Sequence, residues 1–191
     1  MILTIDIGNT VITVGTVSKT GTHFRGAHFH RHQKTDLEYA IAFRTILDLY
    51  QIPSRPLNGS ILSSVVPPLT AVINRALTKI IGKPALVVGP GVKTGLPIRI
   101  DNPAQLGSDM VVNAVAAAAE YPLPLILIDM GTATTLSVID ENGSYLGGAI
   151  LPGAGIALDS LVNRTAQLPR ISFEAPDTAI AKNTVDSMKC G

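Results

Sequence analysis

ILTIDIGNTVITV at 2–14 and LILIDMGTATTLSVI at 125–139 decide how this chain folds. Each is a β-rich run with an acidic residue near its end, then a glycine, then hydroxyl-bearing residues, then a second β-rich run. IDIGNT occupies 5–10 and IDMGTATT occupies 128–135. The β-rich runs on either side of Gly8-Asn9-Thr10 read as two strands joined by a tight turn, and the same reading applies around Gly131. A repeat at this spacing predicts two copies of one βββα unit.

Working outward, a third strand is expected over 22–31, THFRGAHFHR, and a helix over 35–50, where Leu37, Ala40, Ile41, Ile46, Leu47 and Leu49 recur at helical spacing. SILSSVV at 60–66 reads as a buried strand stopped by Pro67-Pro68. A helix over 69–81 ends at Gly82, and a short strand at 85–88 precedes Gly89-Pro90-Gly91. After a Gly- and Pro-rich loop, Asp101-Asn102-Pro103 opens an Ala-rich helix expected over 104–120. Strands at 125–130, 133–139 and 144–150 follow, the last two joined at Glu141-Asn142-Gly143, then helices over 155–166 and 177–189. The expected fold class is α/β, with two similar domains, 1–117 and 118–191, facing one another across a cleft and the carboxylates of Asp6 and Asp129 turned toward it.

Composition narrows the function classes. Of 191 residues, 46% are hydrophobic and 15% charged, which suits buried strands and packed helices. Fifteen basic residues against fourteen acidic ones, with no basic stripe, argue against nucleic acid as a partner. Cys190 is the only cysteine, so no internal disulfide forms and a reducing compartment is expected. The first ten residues carry no basic leader, and the longest apolar stretches are too short to span a bilayer. The expected location is the cytoplasm, with no membrane partner.

The repeated turn has a chemistry of its own. Glycine lets the backbone approach a phosphate unshielded, and turn N–H groups with the amide of Asn9 and the hydroxyls of Thr10, Thr132, Thr134 and Thr135 can donate to phosphoryl oxygens. Asp6 and Asp129 make sense there by holding Mg²⁺ between carboxylate and phosphate. One copy alone would be read as a plain hairpin turn; the repetition favours the phosphate reading.

DIGNT at 6–10, DNPAQLGSD at 101–109, IDMGTATT at 128–135, YLGGAILPG at 145–153, TAQLP at 165–169 and KNT at 182–184 occur in the order found in type III pantothenate kinases. The chain resembles that family over nearly its whole length. The resemblance implies two actin-like (ribonuclease H-like) domains, each a mixed sheet flanked by helices, with the second expected to be truncated relative to the family. It implies transfer of the γ-phosphoryl of ATP to pantothenate, with Mg²⁺ and a monovalent cation (K⁺ or NH₄⁺), in a homodimer. By resemblance, Asp109 is the general base. Asp6 and Asp129 organise the metal, and Gly8, Asn9, Thr10, Gly131, Thr132 and Thr134 line the phosphate path. Gly107, Ser108, Asp109, Met110 and Thr184 meet pantothenate.

Three readings compete with parts of this. Asp109 follows Ser108 at an expected helix start, where an acid meets the positive dipole end and Ser108 can serve as N-cap. His28, His30 and His32 fall on one strand face, a pattern that either holds a transition metal or lies outward without a role. Met110 stands where the family usually carries Arg. That substitution keeps open a catalytically weak regulatory or scaffolding relative, or a superfamily kinase for another small hydroxyl substrate.

Overall fold

The computed structural model describes residues 1–30, 34–52 and 57–191. The elements in order are β1 (Ile2–Ile7), β2 (Val11–Ser18), β3 (Gly21–His30), α1 (Asp36–Leu49), β4 (Gly59–Ser64), α2 (Pro67–Ile81) and β5 (Leu86–Val87). A 3₁₀ turn (Pro103–Gln105) then precedes α3 (Ser108–Glu120), β6 (Leu125–Met130), β7 (Ala133–Ile139), β8 (Tyr145–Pro152), α4 (Ala154–Arg164) and α5 (Thr184–Cys190). The fold is mixed α/β, with a five-stranded sheet ordered β3-β2-β1-β4-β5 and a three-stranded sheet ordered β6-β7-β8. Strand-strand-strand-helix occurs twice, as the repeat predicts.

The first sheet is mixed: β1 pairs antiparallel with β2 and parallel with β4, and β4 pairs parallel with β5. Parallel neighbours need a crossover, supplied by α1 and α2. Helix α1 starts where Thr35 and Glu38 form a capping box. The Thr35 backbone N–H, and then its hydroxyl, hold the Glu38 carboxyl below the ordinary glutamate range. Helix α2 begins on Pro67, which has no N–H to lose at a first helical position, and ends at Gly82 with φ of 86°. The two prolines that stop β4 therefore also start the next helix. Leu3, Ile5 and Ile7 alternate along β1 into a core shared with Ile12, Val14, Phe43, Leu47, Leu62, Ile73 and Leu77, all 0–2% exposed. Each such side chain contributes about 1.5–3 kcal/mol.

Two helix boundaries differ from the sequence expectation. Asn102 caps only the 3₁₀ turn, its Oδ1 accepting from Ala104 N at 3.2 Å, and α3 begins at Ser108, not 104. Residues 177–183 are not helical. Helix α5 starts at Thr184, where Asn183 Oδ1 accepts from Asp186 N at 2.9 Å. Of the three histidines, His28 and His30 lie in β3, their backbones in register with Thr13 and Val11, and His32 lies outside the described residues.

The chain divides into two compact units, Met1–Leu125 with Val138–Gly147, and Ile126–Ser137 with Gly148–Gly191. Among the described residues, no helix is long and apolar enough to cross a membrane.

Candidate active site

In the first unit, β1 carries Asp6 to the turn. Its neighbours in register are Thr13 on β2 and Ser63 on β4, so oxygen-bearing side chains flank it on both sides. Successive residues of a strand point to opposite faces. Asp6 therefore stands on the face away from Ile5 and Ile7, half-buried, with its Oδ1 shielded from solvent. Gly8 N donates to Val11 O at 3.0 Å to close the turn. A Cβ at Gly8 would come to 3.3 Å of that same oxygen, tight enough to favour glycine. Asn9 and Thr10 are exposed at the tip.

The start of α3 is tied to the end of β4. Ser108 Oγ accepts from Ser64 N at 3.0 Å, donates to Ser64 O at 3.0 Å, and lies 3.3 Å from Ser63 Oγ. Ser108 is therefore not the N-cap: Gly107 occupies that position with no side-chain cap bond, and Ser108 spends its hydroxyl across the fold. Asp109 sits in the first turn, its Oδ1 accepting from Met110 N at 2.8 Å. A Cβ on Gly107 would run into Asp109 Oδ1, so glycine there makes room for the carboxylate. Met110 is half-buried and packs against the apolar cluster of Ala114, Ile139 and Tyr145. Thus β1, β4 and α3 bring Asp6, Ser63 and the Gly107–Met110 segment into one neighbourhood.

In the second unit, Asp129 lies next to last in β6, exposed, and Gly131 N donates to Ala133 O at 3.0 Å. Thr132 is exposed and Thr134 half-buried on β7. Gly153 presses on this turn: its N–H donates to Thr132 O at 3.1 Å, and a Cβ there would overlap the carbonyl oxygens of Gly131 and Thr132. Gly148 lies as close to the Leu136 carbonyl of β7. Gly148 and Gly153 of GGAILPG are thus close-packing residues as well as part of a strand and a helix entry. Thr184 is the exposed first residue of α5.

Sequence reasoning passed over Ser63 and Ser64 as site residues. The available signal was two hydroxyls interrupting the apolar run SILSSVV immediately before Pro67.

Among the described residues, no three His, Cys, Asp or Glu side chains gather as a metal cage. The donors at the two turns are single carboxylates beside hydroxyls and backbone amides. Mg²⁺ is commonly bound by one or two carboxylates plus substrate phosphate and water, so this hard-oxygen donor set fits it.

The family model described as type III pantothenate kinase matches residues 2–191. A type III pantothenate kinase of Moorella thermoacetica is 46% identical over 193 residues, covering all of this chain and 75% of that protein. One of Listeria welshimeri is 43% identical, with 100% and 74% covered. A solved structure from Campylobacter jejuni, described as a Baf family protein, superposes with a TM-score of 0.53 at 19% identity, over 98% of this chain and 72% of the other, a likeness of fold. With its sequence matched from end to end, this chain belongs to the type III pantothenate kinase family.

Proposed function

We propose that this chain transfers the γ-phosphoryl group of ATP to the hydroxyl of pantothenate, giving 4′-phosphopantothenate and ADP on the route to coenzyme A. The observation that carries the reading is the family match over residues 2–191. The placement of Asp109 at a helix start tied to β4, which neighbours β1 and Asp6, supports it.

In the proposed mechanism the Asp109 carboxylate accepts the proton of the pantothenate hydroxyl. The hydroxyl oxygen forms its bond to the γ-phosphorus while the bond to the β–γ bridging oxygen breaks and ADP leaves. A loose phosphoryl-transfer transition state asks mainly for positioning and charge stabilisation, so a modest base suffices. Gly8, Asn9, Thr10, Gly131, Thr132 and Thr134 donate along the phosphate path. Gly107, Asp109 and Met110, with Thr184, form the pantothenate-facing set, while the Ser108 hydroxyl is taken up by Ser63 and Ser64. Asp6 and Asp129 would hold Mg²⁺, which when bound neutralises charge on the β- and γ-phosphates. The same reading includes K⁺ or NH₄⁺ as a monovalent cofactor, a homodimer, a cytoplasmic location, and two actin-like domains at 1–117 and 118–191.

Met110 favours a second reading, a catalytically weak regulatory relative, because an apolar side chain packed against the cluster of Ala114, Ile139 and Tyr145 cannot supply the charge an Arg would. ATP consumption measured with and without pantothenate separates the two. Pantothenate-dependent release of ADP is expected. Nucleotide binding without turnover would support the regulatory reading, and turnover only with another small hydroxyl compound would point to a different kinase substrate.

A further inference from the structure

We propose that Ser108 is a positioning residue: its hydroxyl, locked to Ser63 and Ser64, holds the segment that carries Asp109 in place beside the β1 strand of Asp6. The inference rests on the base assignment made for Asp109 above.

The argument is one of valence. A serine hydroxyl has one proton to donate and two lone pairs to accept with. Ser108 Oγ donates to Ser64 O at 3.0 Å, accepts from Ser64 N at 3.0 Å, and accepts from Ser63 Oγ at 3.3 Å. Its capacity is filled by β4, and none is left for a substrate. The far side of the joint is saturated too. Ser64 Oγ accepts from Thr70 Oγ1 at 2.8 Å and from Val66 N at 3.1 Å, and donates to Val66 O at 3.3 Å. Ser63 is 5% exposed and in register with Asp6. Val65 N donates to Ile7 O at 3.1 Å, which continues the β1–β4 pairing past the strand end.

The joint therefore links three chain segments far apart in sequence: the turn strand of Asp6, the end of β4 with the start of α2, and the first turn of α3. Asp109 is the residue next to the pin. Gly107 brings no side-chain cap to the start of α3, so the hydroxyl of Ser108 is what ties this first turn to β4. Small errors in the placement of a reacting group cost large factors in rate, about a hundredfold for 1 Å. Removing the Ser108 hydroxyl should therefore lower turnover through Asp109 and leave nucleotide binding alone.

The test is a double-mutant cycle in the full-length protein, read as kcat and as KM for ATP. Ser108→Ala is expected to lower kcat roughly ten- to a hundredfold, with KM for ATP unchanged. In an Asp109→Asn background the same change is expected to cost less than about twofold, because the group being positioned no longer takes the proton. Ser108→Thr restores the hydroxyl and most of the rate; Ser108→Val, of the same shape without it, does not. Ser63→Ala removes one of the three bonds and gives a smaller loss in kcat, which keeps the test open if Ser108→Ala does not fold. Wild-type kcat in Ser108→Ala, equal proportional losses in both backgrounds, or Val performing as well as Thr would each overturn the proposal. Wild-type kcat in Asp109→Asn alone would instead remove the base assignment beneath it, a result distinct from the other three.

Discussion

The turn after β1 and the turn after β6 carry nearly the same residues, yet the strands that lead into them live in different surroundings. In β1, Leu3, Ile5 and Ile7 are 0–2% exposed, covered by residues of α1 and α2. In β6, Ile126, Ile128 and Met130 are 65%, 59% and 77% exposed. The turns also differ in closure: Gly8 N reaches three residues on to Val11 O, and Gly131 N only two on to Ala133 O. The second turn is pressed from outside by Gly153. A repeated motif thus dictates the local strand-turn-strand, because glycine and alternation are local signals. How deeply the strand is buried, and what braces its turn, come from elements placed elsewhere in the chain.

That contrast can be broken by mutation. Leu62→Ala on β4 empties a fully buried position in the core that covers β1 and should cost about 2–5 kcal/mol of unfolding free energy. Ile128→Ala on β6, at a site 59% exposed, should fall within about 0.5 kcal/mol. Chemical denaturation of the two variants checks both, and equal costs would mean that the two strands are covered alike.

The brace on the second turn offers a sharper cut. A methyl group at Gly153 has no room against the Gly131 and Thr132 carbonyls, so Gly153→Ala should cost about 1–3 kcal/mol and weaken nucleotide affinity. Gly155→Ala two residues later, where an added Cβ meets nothing within 4 Å, should leave affinity unchanged. Isothermal titration with nucleotide distinguishes them.

In the first unit one variant is expected to gain rather than lose. Met110→Arg can lay its alkyl stem against the cluster of Ala114, Ile139 and Tyr145 while the guanidinium extends to water or an anionic substrate. It should raise pantothenate-dependent turnover, or tighten substrate binding, by up to about tenfold, one charge-assisted contact of roughly 1.4 kcal/mol. No gain in either quantity would mean that another residue has taken over the role, or that the charge is dispensable.

Much of this arrangement was legible in the residues. Strands 2–7, 125–130 and 133–139 follow from their β-rich runs, and the repeat of acid, glycine and hydroxyl marked both turns. The start of α3 was misread because Asn102-Pro103 is a genuine capping signature that here serves a 3₁₀ turn, with the helix proper waiting until after Gly107. Residues 177–183 were misread for want of a visible stop before Asn183. The role of Ser108 was hidden for a different reason. A hydroxyl's partner 44 or 45 residues away leaves no local pattern, so a serine beside an acid at a helix start reads as a cap until β4 is seen beside it.

The claim on which the account depends most is that Asp109 receives the proton of the substrate hydroxyl. Its direct measurement is pantothenate-dependent turnover of Asp109→Asn alongside nucleotide affinity for the same variant. Asparagine keeps the size and most of the hydrogen-bonding shape but cannot take up the proton. Turnover is expected to fall about 10²–10⁴-fold with nucleotide affinity nearly unchanged. Wild-type turnover in Asp109→Asn would make Asp109 a helix-start acid and contradict the mechanism.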